Sequence, residues 1–182
     1  LINAIAMIAI ANNTTTGLTG SNIISTNLTS NVSNNMVASS SSTLSTYSAY
    51  LAFDGNDTSY WSSNDPVYNA SSGNYTGSVT TVDASSVTHS GEWLQLKLPN
   101  AITITSVNIK PRTDLILSRT PRSFVILGSN DGSTWTSLYS NTNKTDWVAG
   151  TNNITITGAS SYSYYRMVIK KDRKSTRLNS SH

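Results

Sequence analysis

The sequence predicts an all-β protein with the architecture of a β-sandwich or jelly roll, and three observations carry this prediction. Residues 92–98 alternate strictly, with leucines on one face and polar or aromatic residues on the other, as in a half-buried strand. Residues 124–127 form an apolar run of β-branched and aromatic type, typical of a strand buried on both faces. No helical periodicity extends beyond about two turns. Short strands separated by turn signals favour a sandwich or jelly roll.

The predicted strands follow one another along the chain with turn signals between them. The first strand begins at Met36, and a Ser/Thr-rich run leads from it into a polar loop. The apolar residues between 102 and 109 change parity once, which predicts either a bulged strand or two short strands. The residues at 130–132, Asn-Asp-Gly, tolerate the positive φ angles of a hairpin turn, and Trp135 opens the return strand. Further strands are predicted at 78–83, 153–157 and 164–169.

The formal net charge of +3 depends on the C-terminal end of the chain. Residues 172–182 break the β pattern abruptly and look like a translated short-read sequencing adapter, so we place them outside the fold. Without the three basic residues and the one acidic residue of this segment, the net charge falls from +3 to +1. This balance argues against a nucleic-acid partner. A genuine basic tail is the alternative.

We divide the 182 residues into an N-terminal segment at 1–30, one domain at 31–171 and the tail at 172–182. Residues 1–11 are apolar but shorter than the roughly 20 residues that a helix needs to span a bilayer, so we predict no transmembrane segment. They are either the tail of a secretory signal or the last element of a preceding segment. The Asn/Thr/Ser/Gly-rich residues that follow are typical of a linker.

Three stretches carry a resemblance to a known family. They are the polar loop at 52–61 that a tryptophan closes, the alternating strand at 91–98 and the hairpin at 123–135, with Lys-Pro-Arg at 110–112 between the last two. In this order and spacing they resemble the discoidin domain, also called the coagulation factor V/VIII type C domain, of the galactose-binding-like superfamily. Because the chain has no cysteine for the terminal disulfide of the mammalian members, the resemblance points to the microbial or viral branch.

The resemblance implies an antiparallel jelly roll with binding loops at one end and with Trp61, Trp93 and Trp135 in structural positions. It also implies a final strand after Ile169. This strand is missing from the chain, so we expect its loss to expose a sheet edge.

The polar loop offers a candidate metal site. Asp54, Asn56, Asp57 and Ser59 present oxygen atoms within six positions, and calcium takes six to eight oxygen ligands. The resemblance implies a structural calcium ion held by Asp54, Asn56 and Ser59, with Asp57 as an additional ligand. A loop of Asx turns without any metal explains the same residues.

A candidate ligand site combines arginines with aromatic residues of the loops. The resemblance implies that Arg112, which follows Pro111, contacts a sugar, and Arg119 brackets the same loop. Arginine presents a rigid fork of donors to hydroxyls or carboxylates. Exposed aromatic rings can stack on a sugar face, and the candidates are Tyr60, Tyr68 and Trp147; ordinary loop packing is the alternative. The sugar-binding relatives carry a histidine where this chain has Ser62 and Ser63, so galactose specificity is not implied.

The function expected from the resemblance is that of a non-catalytic glycan-binding module within a larger extracellular or virion-surface protein. Its partners would be glycans or glycoconjugates and surface proteins of cells or virions. No catalytic motif stands out, since His89 is the only histidine outside the tail. Two alternatives remain: a structural or adhesive domain of a viral or phage particle, and an anionic-phospholipid-binding domain that inserts residues 115–117.

Overall fold

A computed structural model describes residues 3–11, 27–111, 119–158 and 160–173 of the protein. Its regular structure is β, apart from one 3-10 helix at Ala49–Ala52. The strands are β1 (Asn3–Ala11), β2 (Val32–Ser33), β3 (Met36–Ser40), β4 (Trp61–Ser62), β5 (Thr80–Val82), β6 (Thr88–Ser90), β7 (Glu92–Ile102), β8 (Ser106–Pro111), β9 (Pro121–Ser129), β10 (Thr136–Asn141), β11 (Asn152–Thr155) and β12 (Tyr162–Asp172). The all-β class that the sequence predicts is confirmed.

A six-stranded antiparallel sheet forms one layer, in the order β10-β9-β12-β7-β3-β2. The alternation in β7 is confirmed, because Leu94, Leu96 and Leu98 are buried in the main core. β9 is buried on both faces, as its composition predicts. Phe124 and Ile126 belong to the main core, whereas Val125 and Leu127 belong to a second cluster on the outer face of the sheet.

A four-stranded sheet in the order β11-β8-β1-β4 forms the other layer. One apolar cluster joins the two layers, with Val107, Ile109 and Ile154 from this sheet packed together with the leucines of β7. The predicted change of parity between 102 and 109 separates two strands, β7 and β8, rather than marking a bulge. The two layers therefore form the expected sandwich.

Two expectations about the ends of the domain need correction. We expected residues 1–30 to lie outside the domain, but β1 lies between β8 and β4, with Ile5 opposite Pro111 and Ala11 opposite Ser106. We also expected a sheet edge after Ile169. Instead β12 continues to Asp172 and lies between β9 and β7 in the interior of its sheet.

Candidate functional site

One end of the sandwich gathers most of the residues that the sequence marks as functional. β8 ends at Pro111 and β9 begins at Pro121, which pairs with Asp172 at the end of β12. β4 meets the same region, because Ile5 of β1 pairs with both Pro111 and Trp61. We call this region the loop end. The segment 112–118 connects two strands there, and its residues lie outside the described part of the chain.

The Asp54 loop is closed by hydrogen bonds among its own residues. Asp54 Oδ1 accepts from the Asn56 N–H at 2.9 Å, and Asp54 Oδ2 accepts from the Ser59 hydroxyl at 2.5 Å. Asn56 Oδ1 accepts from both the N–H and the hydroxyl of Thr58, at 3.0 and 2.8 Å. The first of these bonds is an Asx turn. The fold thus brings three of the four predicted calcium ligands into one turn.

The fourth predicted ligand, Asp57, has a different partner. Its Oδ1 lies 2.6 Å from Lys110 Nζ on β8, and this ion pair ties the loop to the loop end. Oxygen atoms are the ligands that calcium prefers, so Asp54, Asn56 and Ser59 fit the ion by type, whereas a lysine ammonium beside Asp57 does not. Among the described residues, no three His, Asp or Glu side chains gather in a way that could hold a metal. Calcium binding stays a prediction for the first three residues.

The predicted aromatic ligand residues divide into one at the surface and two in the core. Tyr60 is half-buried and stacks on Tyr47, with ring centroids 4.6 Å apart and planes inclined by 15°. Trp147 is buried, and its Nε1 donates to the Pro121 carbonyl at 2.8 Å. Tyr68 is also buried, and its hydroxyl donates to the Ile169 carbonyl at 2.9 Å. The expectation of exposed rings is therefore wrong for Tyr68 and Trp147, since their polar atoms reach partners inside the fold.

The arginines are only partly within the described residues. Arg112, the main predicted sugar contact, lies in the segment outside them. Arg119 is half-buried and lies just before β9, at the loop end. Ser62 and Ser63, at the position of the relatives' histidine, are fully buried. The structure thus places Tyr60 and Arg119 at the same end of the sandwich, and their binding roles stay predictions.

The sequence matches the model of a known protein family. Residues 36–181, well over half of the chain, match the family model of the F5/8 type C domain. The chain belongs to the F5/8 type C domain family. The match continues past residue 171, where we had expected the domain to end. No curated protein matches the sequence.

Solved structures share the fold of this F5/8 type C domain. The family 32 carbohydrate-binding module of Clostridium perfringens NanJ, in complex with galactose, is 18% identical with a TM-score of 0.55, over 75% of this chain and 83% of that one. A second Clostridium perfringens module, in complex with GalNAc-β-1,3-galactose, is 14% identical with a TM-score of 0.55, over 76% and 86%. A mutant of chitosan-binding module 1 from a Paenibacillus chitosanase/glucanase is 25% identical with a TM-score of 0.51, over 76% and 84%. Among the described residues of our F5/8 type C domain, no helix has the length and apolarity that a membrane crossing requires.

A buried carboxylate whose role the sequence did not reveal organises the loop end of this F5/8 type C domain. Glu92, only 2% exposed, accepts hydrogen bonds from the hydroxyls of Ser41 and Ser42, at 2.5 Å each, and of Tyr75, at 2.9 Å. Burial, together with the hydrogen bond to Glu92, raises the pKa of Tyr75 to about 12. Three hydroxyl donors thus satisfy a carboxylate that would be costly to bury alone. Glu92 fastens two loops to β7, and its position at the start of a strand after a Ser-rich run was the only sequence signal.

Proposed function

We propose that this F5/8 type C domain binds a glycan, without catalysis, through its loop end. The observation that carries the proposal is the likeness in sequence and fold to a chitosan-binding module, at 25% identity over most of both chains. The two modules that were solved with galactose and with GalNAc-β-1,3-galactose support the same ligand class. The fold alone does not specify the sugar, because one fold carries many functions.

The chemistry of the loop end suits a sugar. The rings of Tyr47 and Tyr60 stack on each other and are both half-buried, and a sugar can present an apolar C–H face to an aromatic ring of this kind. Arg119 at this end and Arg112 of the neighbouring segment are residues whose guanidinium groups are suited to hydrogen-bonding sugar hydroxyls. An aromatic pair at the same end of the sandwich as these arginines combines an apolar surface with polar groups, as sugar-binding sites do.

The setting of the domain is part of the proposal. We place it in a larger extracellular or virion-surface protein, where a glycan-binding module would hold that protein against glycoconjugates. A calcium ion on Asp54, Asn56 and Ser59 would stiffen the loop that precedes Tyr60, so its effect on binding would be indirect.

A glycan array tests the proposal with the full chain in the presence of calcium. We expect binding to galactose-containing or chitosan-type glycans, and we expect Tyr60→Ala to lose it. Tyr162→Ala is the matched control, because Tyr162 is also half-buried but begins β12 at the opposite end of the sandwich. A folded domain that binds no glycan would contradict the proposal and favour the structural or adhesive role. Sedimentation with phosphatidylserine vesicles in place of glycan binding would favour the lipid-binding role.

A further inference from the structure

An arginine lies between two tryptophans on the outer face of the six-stranded sheet, away from the loop end. Arg166 on β12 pairs with Gln95 on β7 and with Leu127 on β9. The Arg166 guanidinium carbon lies 4.0 Å from the ring centroid of Trp93 and 4.0 Å from that of Trp135. Two rings therefore clamp the planar guanidinium by cation–π contact and fix its direction.

The hydrogen bonds of this guanidinium leave donors on both terminal nitrogens. Arg166 Nε and Nη2 donate to Gln95 Oε1 at 3.0 and 2.8 Å, and Nη1 donates to Thr81 Oγ1 at 2.9 Å. Three of the five N–H groups of an arginine are then used. One N–H on each Nη has no partner among the described residues, and a carboxylate or sulfate binds such a pair in bidentate fashion.

The charge of Arg166 also lacks a partner in the described part of the chain. Its three hydrogen bonds go to neutral acceptors, and burial lowers its pKa to about 10. The two turns that flank Trp135 contain carboxylates, but both are engaged. Asp83 accepts from two backbone N–H groups and pairs with His89 at 3.0 Å. Asp131 accepts from two backbone N–H groups and one hydroxyl of its own turn.

A half-buried cation without an anion is costly, because it has lost hydration and gained no ion pair. Arg166 and Trp93 are both half-buried, so part of each side chain is exposed to solvent. The groups around the guanidinium are the Thr81 hydroxyl, the Gln95 amide and two indole rings, and such a set suits the hydroxyls and C–H faces of a sugar.

We propose that Arg166 forms a second binding site, on the face of the six-stranded sheet, for the carboxylate of an acidic sugar such as a uronic acid. The choice of a sugar rests on the proposed function, whereas the choice of an anion rests on the guanidinium geometry alone. The carboxylate would accept one N–H from each Nη, with the sugar ring beside Trp93.

Tryptophan fluorescence provides the assay, since the site contains two indole rings. We expect the full chain to show a saturable change with glucuronic acid at low salt, and at least about tenfold weaker binding of glucose, because a charge-assisted bidentate contact is lost. Acetate that binds as tightly as glucuronic acid would overturn the assignment to a sugar. Glucose that binds as tightly as glucuronic acid would overturn the role of the anion.

Two variants locate the site. Gln95→Glu places a carboxylate of the same shape directly against the guanidinium, so we expect it to abolish glucuronic acid binding and to raise the midpoint of thermal unfolding. Arg166→Lys keeps the charge but loses the fork, and we expect at least about a tenfold loss of affinity.

Lys97→Gln is the control, because it removes an exposed charge from the same face of β7, and we expect a change within about twofold. A folded Gln95→Glu variant that keeps its affinity for glucuronic acid would overturn the proposal. Neutral-glycan binding at the loop end is read separately on the array with the same variants. The two proposals can therefore fail independently.

Discussion

Replacing Tyr68 by phenylalanine should destabilise the domain while leaving glycan binding intact. The Tyr68 hydroxyl donates to the Ile169 carbonyl at 2.9 Å and accepts from the Glu92 N–H at 3.2 Å, and both bonds are buried. Phenylalanine keeps the ring and leaves no large cavity, so the cost is that of two buried backbone groups without their partner. At about 1–3 kcal/mol for each of the two groups, we expect a loss of about 2–6 kcal/mol. For a chain of this size that corresponds to roughly 5–20 °C in the melting temperature.

Urea unfolding followed by tryptophan fluorescence measures this loss, and the glycan array measures binding by the same variant. Tyr164→Phe is the control, because Tyr164 is half-buried and its hydroxyl has no hydrogen bond among the described residues. We expect the control to change stability by less than about 0.5 kcal/mol. A Tyr68→Phe variant of unchanged stability that no longer binds glycan would refute the reasoning, because it would return Tyr68 to the ligand site.

Three further perturbations test other parts of the structure. Stability should be full below about pH 10 and fall toward pH 12. Burial raises the pKa of Tyr75 and of Tyr165 to about 12 and raises the pKa of Tyr68 well above its ordinary value, so the folded state then holds protons that the unfolded chain releases. Arg166, whose pKa burial lowers to about 10, opposes this as one group against three, and urea unfolding at pH 8 and pH 11 gives the sign. Calcium should raise the thermal midpoint relative to chelator in the wild type but not in Asp54→Asn, and an equal midpoint in both conditions would exclude calcium from the loop. Ala6→Pro should lower stability strongly, because proline has no N–H to donate to the ladder and Ala6 lies in a strand inside a sheet. The control Ala6→Val keeps this N–H and should not lower stability in the same way. Equal stability of the two variants in urea would contradict the pairing of β1.

The parts of the fold that depend on local pattern were predictable from the sequence. The alternation of residues 92–98 placed Leu94, Leu96 and Leu98 on the core side of β7, because side-chain direction in a strand depends only on position along it. The two-sided burial of β9 followed from four consecutive apolar residues in the same way. The resemblance to a known family supplied the connection between these strands and the loop end.

The contacts that decide the candidate site were not predictable, because they join distant parts of the chain. Tyr68 lies in a polar, loop-like stretch, yet its hydroxyl bonds a residue 101 positions away. Trp147 also lies in a stretch without a strand pattern, and its indole N–H donates to the carbonyl of Pro121, 26 positions earlier. The pattern put Trp93 and Gln95 on the outer face of β7, but it gave no sign that Arg166 would lie against both. The local sequence shows which residues neighbour a position along the chain, but not which residues contact it in the folded structure.

The place of β1 in the four-stranded sheet has a consequence for the time course of folding. β1 is synthesised before its partners on β8, which lie roughly 100 residues further along the chain. At about 5–20 residues per second, roughly 5–20 s pass between the synthesis of the two strands. During that time the apolar β1 has only the two-residue strand β4 to pair with, and closing the long loop to β8 carries a large entropic cost. The four-stranded layer should therefore close late, and the nascent chain should be most prone to aggregate before β8 emerges.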